Sequence, residues 1–94
     1  MRTPRRLQRK RTRGWTRPAG AVYVGRPTRY GNPFPVAEFG VLALERFRAH
    51  ALARLDADPA WLLPLRGKDL LCWCRAGTHC HADILIELAN KPQP

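Results

Sequence analysis

Short apolar runs and one long amphipathic stretch divide this chain into alternating strands and helices. Residues 21–24 are apolar, β-prone and flanked by proline and glycine, so they predict a buried strand. A second strand is predicted over residues 70–74, after a turn at residues 67–69. Residues 7–11 fit either an early strand or an extended arm, and propensity alone leaves both open.

Two segments have helical periodicity. In residues 37–57 the apolar positions recur at spacings of three and four, which predicts an amphipathic helix with the inward side chains Leu44, Phe47, Ala51 and Leu55. Gly40 weakens its first turn, and His50 is expected on its exposed surface. Residues 82–89 predict a shorter helix that buries Ile84, Leu85 and Leu88.

The order of these elements is typical of an α/β fold. We predict a small Rossmann-like domain of two or three layers, with a short, mostly parallel three-stranded sheet and two main helices. Residues 6–91 form this single domain, residues 1–5 a basic N-terminal arm and residues 92–94 a C-terminal tail. Because parallel strands end at the same edge of a sheet, residues 25–34 and 74–81 are expected to face one crevice.

Length and composition restrict the class of protein. Ninety-four residues with 45% hydrophobic side chains suffice for one small core with a thin stability margin. No apolar run approaches the ~18 residues of a membrane span, and no hydrophobic signal segment follows the first basic residues. We therefore expect a cytoplasmic protein without a membrane partner. Three cysteines in such a reducing compartment are more often ligands, nucleophiles or core residues than disulfides.

Positive charge is concentrated at one end of the chain. The net charge is +10, and residues 1–20 hold eight basic side chains and no acidic one. Such a block favours nucleic acid or another polyanion through counterion release. A solvated arm that only keeps the protein soluble is the alternative.

All three cysteines and two of the three histidines lie within residues 72–81. In an extended chain Cys72 and Cys74 share one face with Cα atoms roughly 6.6 Å apart, and Trp73 points the other way. With Cys80 and His81 they would form a Cys3His set of the kind seen in structural zinc sites. The gaps between these residues depart from the usual ligand spacing, so Zn²⁺ is one of several open interpretations.

A second interpretation is catalytic. Cys80 at a helix N-terminus is a candidate thiolate nucleophile, with His81 or His79 as its base and Asp83 as an orienting group. A third interpretation is structural, since cysteines are among the most buried residue types. The sequence leaves all three open.

The crevice would bind its ligand through both loops. The arginines suit phosphate or carboxylate, the glycines allow close approach of the backbone, and the asparagine can bind an amide or a hydroxyl group. A rigid turn with solvated arginines is the alternative. The candidate ligand-binding residues are Gly25, Arg26, Arg29, Gly31, Asn32, Cys74 and Arg75.

Three segments resemble the uncharacterised family called domain of unknown function 4326, namely residues 23–34, 67–74 and 80–85. The resemblance covers nearly the whole chain and implies a family found in actinobacteria and their phages. It also implies a short strand near residues 7–11, which would bring part of the basic block into the sheet. The end of the chain is similar to a second uncharacterised α/β family with a Cys-His-Arg motif, but Ala82 stands where that motif has arginine.

Together these patterns predict a nucleotide- or nucleic-acid-related protein. One hypothesis is an enzyme acting on a nucleotide or on a related glycosidic or phosphate substrate through Cys80 or His81. The other is a non-catalytic nucleic-acid-binding protein of a phage or its host, in which the Cys/His cluster or a Zn²⁺ site stabilises the fold. The sequence assigns neither the substrate nor the oligomeric state.

Overall fold

The computed structural model describes residues 4–34, 36–74 and 80–90. Within them, two short strands come first, two helices follow, and a third strand precedes the last helix. The elements are β1 (Arg6–Gln8), β2 (Val22–Tyr23), α1 (Val36–Phe39), α2 (Leu42–Ala57), a 3₁₀ turn (Leu63–Leu65), β3 (Leu70–Cys72) and α3 (His81–Ala89). No described helix is long and apolar enough to cross a membrane.

The three strands form one parallel sheet in the order β1-β3-β2. This confirms the predicted small α/β domain, with α2 and α3 as its main helices. Leu71 in the central strand aligns with Leu7 on one side and Tyr23 on the other. The buried strand expected over residues 21–24 is a two-residue edge strand, Val22–Tyr23, whose side chains are half-buried, while the flanking Ala21 and Val24 are buried as predicted. The central strand of the sheet is β3, and its three residues are buried for that reason.

The helix predicted over residues 37–57 is interrupted near its start. Gly40 has a φ of +56°, a left-handed conformation that breaks the helical hydrogen-bond pattern, so α1 ends at Phe39 and α2 begins at Leu42. The inward face of α2 buries Ala43 and Phe47, as well as Ala51. The break places the junction of α1 and α2 over the carboxyl edge of the sheet.

Helix α3 holds the core together, since it contacts β1, β3, α2 and the 3₁₀ turn. Its inward side chains Ile84, Leu85 and Leu88 are buried, as predicted. His50 differs from its expected surface position, because its ring packs against the rings of Phe34, Phe47 and Trp61. The largest fully buried core side chains are Trp61, Phe47, Leu65, Leu70, Leu71 and Leu85.

Candidate functional site

A cleft of about 580 Å³ opens at the carboxyl edge of the sheet. One wall comes from the loop after β2, which contributes Gly25, Arg26 and Asn32. The opposite wall comes from the segment after β3 and from the start of α3, and the junction of α1 and α2 closes a third side. The described ends of the segment predicted to form the second loop, Cys74 together with Cys80 and His81, therefore line the same cleft as the loop after β2.

Three thiols converge on this cleft, and we call Cys72, Cys74 and Cys80 the thiol cluster. Their Sγ atoms all lie within 4.8 Å of one another, and Cys72 Sγ is 3.2 Å from Cys80 Sγ. The convergence arises because β3 ends at Cys72 and the chain then bends, while Cys80 is the extended N-cap residue of α3. Since the strand stops there, Trp73 does not point away from the cysteines as expected but lines the same cleft.

The thiols share their protons unequally. Cys80 donates a hydrogen bond to Cys72, which lowers the pKa of Cys72 to about 5 and raises the pKa of Cys80. Burial raises the pKa of Cys74. The cluster therefore accommodates one thiolate readily, even without a bound ion.

Arg6 on β1 supplies a cation beside this thiolate. Its side chain is only 10% exposed, forms a hydrogen bond with the Cys72 thiol and places Nε 3.3 Å from Asp83 Oδ1. A guanidinium remains charged at all relevant pH values. Arg6 thus offsets negative charge on the thiols, a role that the sequence did not reveal because it depends on the pairing of β1 with β3.

His81 is held in one orientation by the end of β2. Its Nε2 lies 2.8 Å from the carbonyl oxygen of Val24, and its Nδ1 lies 3.5 Å from Cys80 Sγ. Burial lowers the pKa of His81, so the ring is neutral. Because a carbonyl only accepts, Nε2 carries the proton, and Nδ1 is an acceptor that faces the thiol.

The loop after β2 is ordered by its own hydrogen bonds. Asn32 Oδ1 accepts from the amide of Phe34, and its Nδ2 donates to the carbonyl of Ala43, so the side-chain amide is used within the protein. Gly25 has no room for a side chain, because a Cβ there would lie 2.6 Å from Tyr23 Cζ. A Cβ at Gly31 would lie 2.9 Å from Arg26 Cγ. Both glycines are required by packing inside the loop.

The family described as Domain of unknown function (DUF4326) matches residues 7–91. The chain belongs to this family. The DUF4326 match spans both loops of the cleft and confirms the resemblance seen in the sequence. No curated protein and no solved structure matches the chain. Membership in DUF4326 assigns no activity, so the chemistry of the site has to be inferred from its geometry.

In this DUF4326 protein, only some of the remaining predicted site residues line the cleft. Arg26 lines the cleft, whereas Arg29 lies outside the lining and donates hydrogen bonds to Tyr30 Oη and to the carbonyl of Trp61. Asp83 also lies outside the cleft lining and pairs with Arg6. The predicted Arg75 and His79 fall outside the described residues.

At the mouth of the DUF4326 cleft, two arginines lie over two aromatic rings. Arg9 Cζ is 4.7 Å from the ring centroid of Tyr23 and 5.0 Å from that of Trp73. Arg11 Cζ is 4.7 Å from the ring centroid of Trp73. We call these four residues the cation–aromatic cluster. In the sequence, the available signal for this cluster was the presence of basic residues interleaved with aromatic ones. Only the pairing of the strands brings the four residues together.

Proposed function

We propose that the protein binds Zn²⁺ through the thiol cluster, at one wall of a cleft that takes a nucleotide-class ligand. The observation that carries the proposal is the convergence of three Sγ atoms within 4.8 Å on that cleft. Zinc–thiolate bonds near 2.3 Å in a tetrahedral arrangement require sulfur atoms about 3.8 Å apart, which this spacing allows. Among the described residues, the potential metal-ligand atoms that lie close together are the sulfur atoms of the thiol cluster. His81, which the sequence suggested as a fourth ligand, does not belong to this group.

The charge around the cluster also fits a metal ion. Three thiolates with one Zn²⁺ leave a net charge of −1, which is costly to bury without a partner. Arg6 supplies the compensating positive charge from a side chain that is itself almost fully buried. Such outer partners orient metal ligands and tune their affinity.

Three cysteine ligands leave one tetrahedral position for a further group. When bound, the ion acts as a Lewis acid toward whatever atom occupies that position. The chain's own residues then position the ligand and the cluster. Arg26 offers its guanidinium to an anionic group, and the Val24 carbonyl orients the His81 ring with Nδ1 toward Cys80.

A nucleotide-class ligand suits the dimensions and chemistry of the cleft. Its volume of about 580 Å³ falls within the range of small-molecule sites. The lining includes the rings of Tyr23 and Trp73 for a base, with Arg26 for a phosphate.

We place the protein in the cytoplasm, because a reducing compartment keeps the thiols free for the ion.

Metal content tests the proposal. We expect mass spectrometry of protein purified without a histidine tag to find about one equivalent of zinc. Cys72→Ser and Cys80→Ser should each lose most of it, while the control His50→Asn keeps it. Reconstitution with Co²⁺ should give thiolate charge-transfer absorption. The proposal is wrong if the wild-type protein holds no zinc and Co²⁺ produces no such band.

A second candidate function uses Cys80 as a nucleophile. It rests on the 3.5 Å separation of Cys80 Sγ and His81 Nδ1 together with the 2.8 Å contact that orients the ring. This is the arrangement of nucleophile, base and orienting group found in thiol enzymes. The thiol proton would leave its hydrogen bond with Cys72 and pass to Nδ1, and Sγ would attack an electrophilic carbon of the ligand and displace its leaving group.

Alkylation rates test this second candidate on metal-free protein. In a Cys72→Ala background, where Cys80 no longer donates its proton to a second thiol, we expect iodoacetamide to modify Cys80 faster than Cys74, and His81→Gln should slow the reaction at Cys80. Mapping the modified cysteines by mass spectrometry measures both rates. Faster modification of the more exposed Cys74, with no effect of His81→Gln, would reject a nucleophilic Cys80.

A further inference from the structure

The cation–aromatic cluster stands at the mouth of the cleft and does not hold the thiols. We infer that it binds single-stranded nucleic acid, with one base in the cleft, a neighbouring base on Trp73 and the phosphates on the basic segment that follows β1. This inference rests on the proposed nucleotide-class ligand of the cleft but not on its metal ion.

The charge of this segment favours phosphates. Residues 1–20 contain no acidic side chain, and Lys10, Arg11, Arg13 and Arg17 are all exposed. The carboxylate of Asp83, which faces β1, already forms an ion pair with Arg6. The segment after β1 therefore presents several cations to solvent, as expected for a surface that tracks a phosphate backbone.

The aromatic rings supply platforms for bases. Trp73 is 39% exposed, and both it and Tyr23 line the cleft. Planar guanidinium groups already lie about 5 Å from the centres of these rings, which shows that flat groups can reach them. A base that takes the place of Arg11 on Trp73 frees that guanidinium for the adjoining phosphate, so both groups keep a partner.

A single strand fits this arrangement better than a duplex. The bases of a duplex are stacked and paired inside the helix, and only their edges are accessible in the grooves. The rings of Tyr23 and Trp73 line a recess, so a base must leave a stack to reach them. A single strand makes this insertion at little cost, because its bases are already accessible.

Fluorescence anisotropy with labelled 12-nucleotide DNA and RNA strands tests the inference on the full chain. We expect Trp73→Ala to weaken binding of the single strand by about fivefold or more. Arg9→Gln with Arg11→Gln should weaken binding further and reduce the salt dependence by about one to two phosphate contacts. The matched control removes the same charge at Arg66 and Lys68, which are exposed near the opposite edge of the sheet, and should bind nearly as the wild type does.

The outcomes separate the alternatives. Equal weakening by the Arg66/Lys68 control, or binding unaffected by Trp73→Ala, would overturn the inference in favour of general charge attraction. Equal affinity for a 12-base-pair duplex would overturn the inference in favour of a duplex ligand. Full competition by a free mononucleotide at equal concentration would overturn it in favour of a mononucleotide ligand. Zinc content is measured on every variant. A wild-type protein that holds no zinc but still binds the single strand would contradict the metal proposal alone.

Discussion

The two ends of the cleft arise from the same edge of the sheet but differ in how their charges are compensated. At the inner end, the thiol cluster is largely buried, and its negative charge faces an almost fully buried guanidinium. At the mouth, the cation–aromatic cluster adjoins exposed cations. A buried charge must find its partner within the protein, whereas an exposed excess of charge can attract an external one. We therefore expect the inner end to govern stability and the mouth to govern binding.

Of the predicted changes, removal of the metal ion should lower the stability of the protein most. A small domain has a thin margin of stability, and an ion bound only by the folded state adds about 4 kcal/mol at a thousandfold excess over its dissociation constant. We expect a strong chelator to lower the melting temperature by about 15 °C or more in calorimetry.

The control for metal removal is Cys72→Ser, whose melting temperature should be low and insensitive to the chelator. A wild-type protein that melts at the same temperature with and without chelator would show that the inner end is stabilised by its own contacts. In that case the distinction between the two ends would rest on packing alone.

The second prediction concerns the contact between α3 and the end of β2. His81→Ala leaves the Val24 carbonyl without its donor and opens a void beside Phe47, so we expect the free energy of unfolding to fall by about 2–3 kcal/mol. Urea denaturation measures the change. The matched control is His50→Ala, which removes a less buried ring that contacts aromatic neighbours and should cost about 1 kcal/mol. Equal costs for both histidines would contradict the special role of His81.

Much of this architecture could be predicted from residue patterns. The strand near residue 70 and both main helices follow from apolar periodicity. The approach of Cys74 and Cys80 to the loop after β2 follows from the geometry of parallel sheets. Burial of Ile84, Leu85 and Leu88 follows from their spacing. These features depend on local pattern or on topology, which the sequence expresses directly.

The remaining features depend on contacts between distant segments. Arg6 reaches Cys72 only because β1 pairs with β3, and nothing near Arg6 in the sequence marks it as a partner of a thiol. Trp73 lines the cleft because β3 ends at Cys72, two residues earlier than predicted, so the alternation of a strand no longer applies to it. Arg29 looked like an anion ligand, yet its guanidinium is bound to Tyr30 and to the Trp61 carbonyl. Register and strand length decide such cases, and short strands leave both weakly encoded.

The third prediction concerns the contact between the loop after β2 and the Tyr23 ring at the mouth. Gly25→Ala would place a Cβ 2.6 Å from Tyr23 Cζ, so the ring must move, and we expect a loss of about 1–2 kcal/mol in the free energy of unfolding. In a Tyr23→Leu background the same change should cost clearly less, because the obstructing ring is gone. Urea denaturation of the four proteins gives the coupling energy. An unchanged cost in that background would mean that the collision with Tyr23 is not the cause.

The smallest effect on stability is expected at the mouth. Trp73 is 39% exposed, and its cation–π contacts with Arg9 and Arg11 lie at the protein surface. Because such exposed contacts are weak, Trp73→Ala should lower the free energy of unfolding by only about 0.5–1 kcal/mol. Trp61→Ala is the matched control, because the same truncation at a 1% exposed ring in the core should cost about 3–5 kcal/mol. If Trp73→Ala destabilises the protein as much as Trp61→Ala does, the mouth is part of the folding core. A small loss of stability, together with weaker binding of single strands, would instead assign Trp73 to ligand recognition.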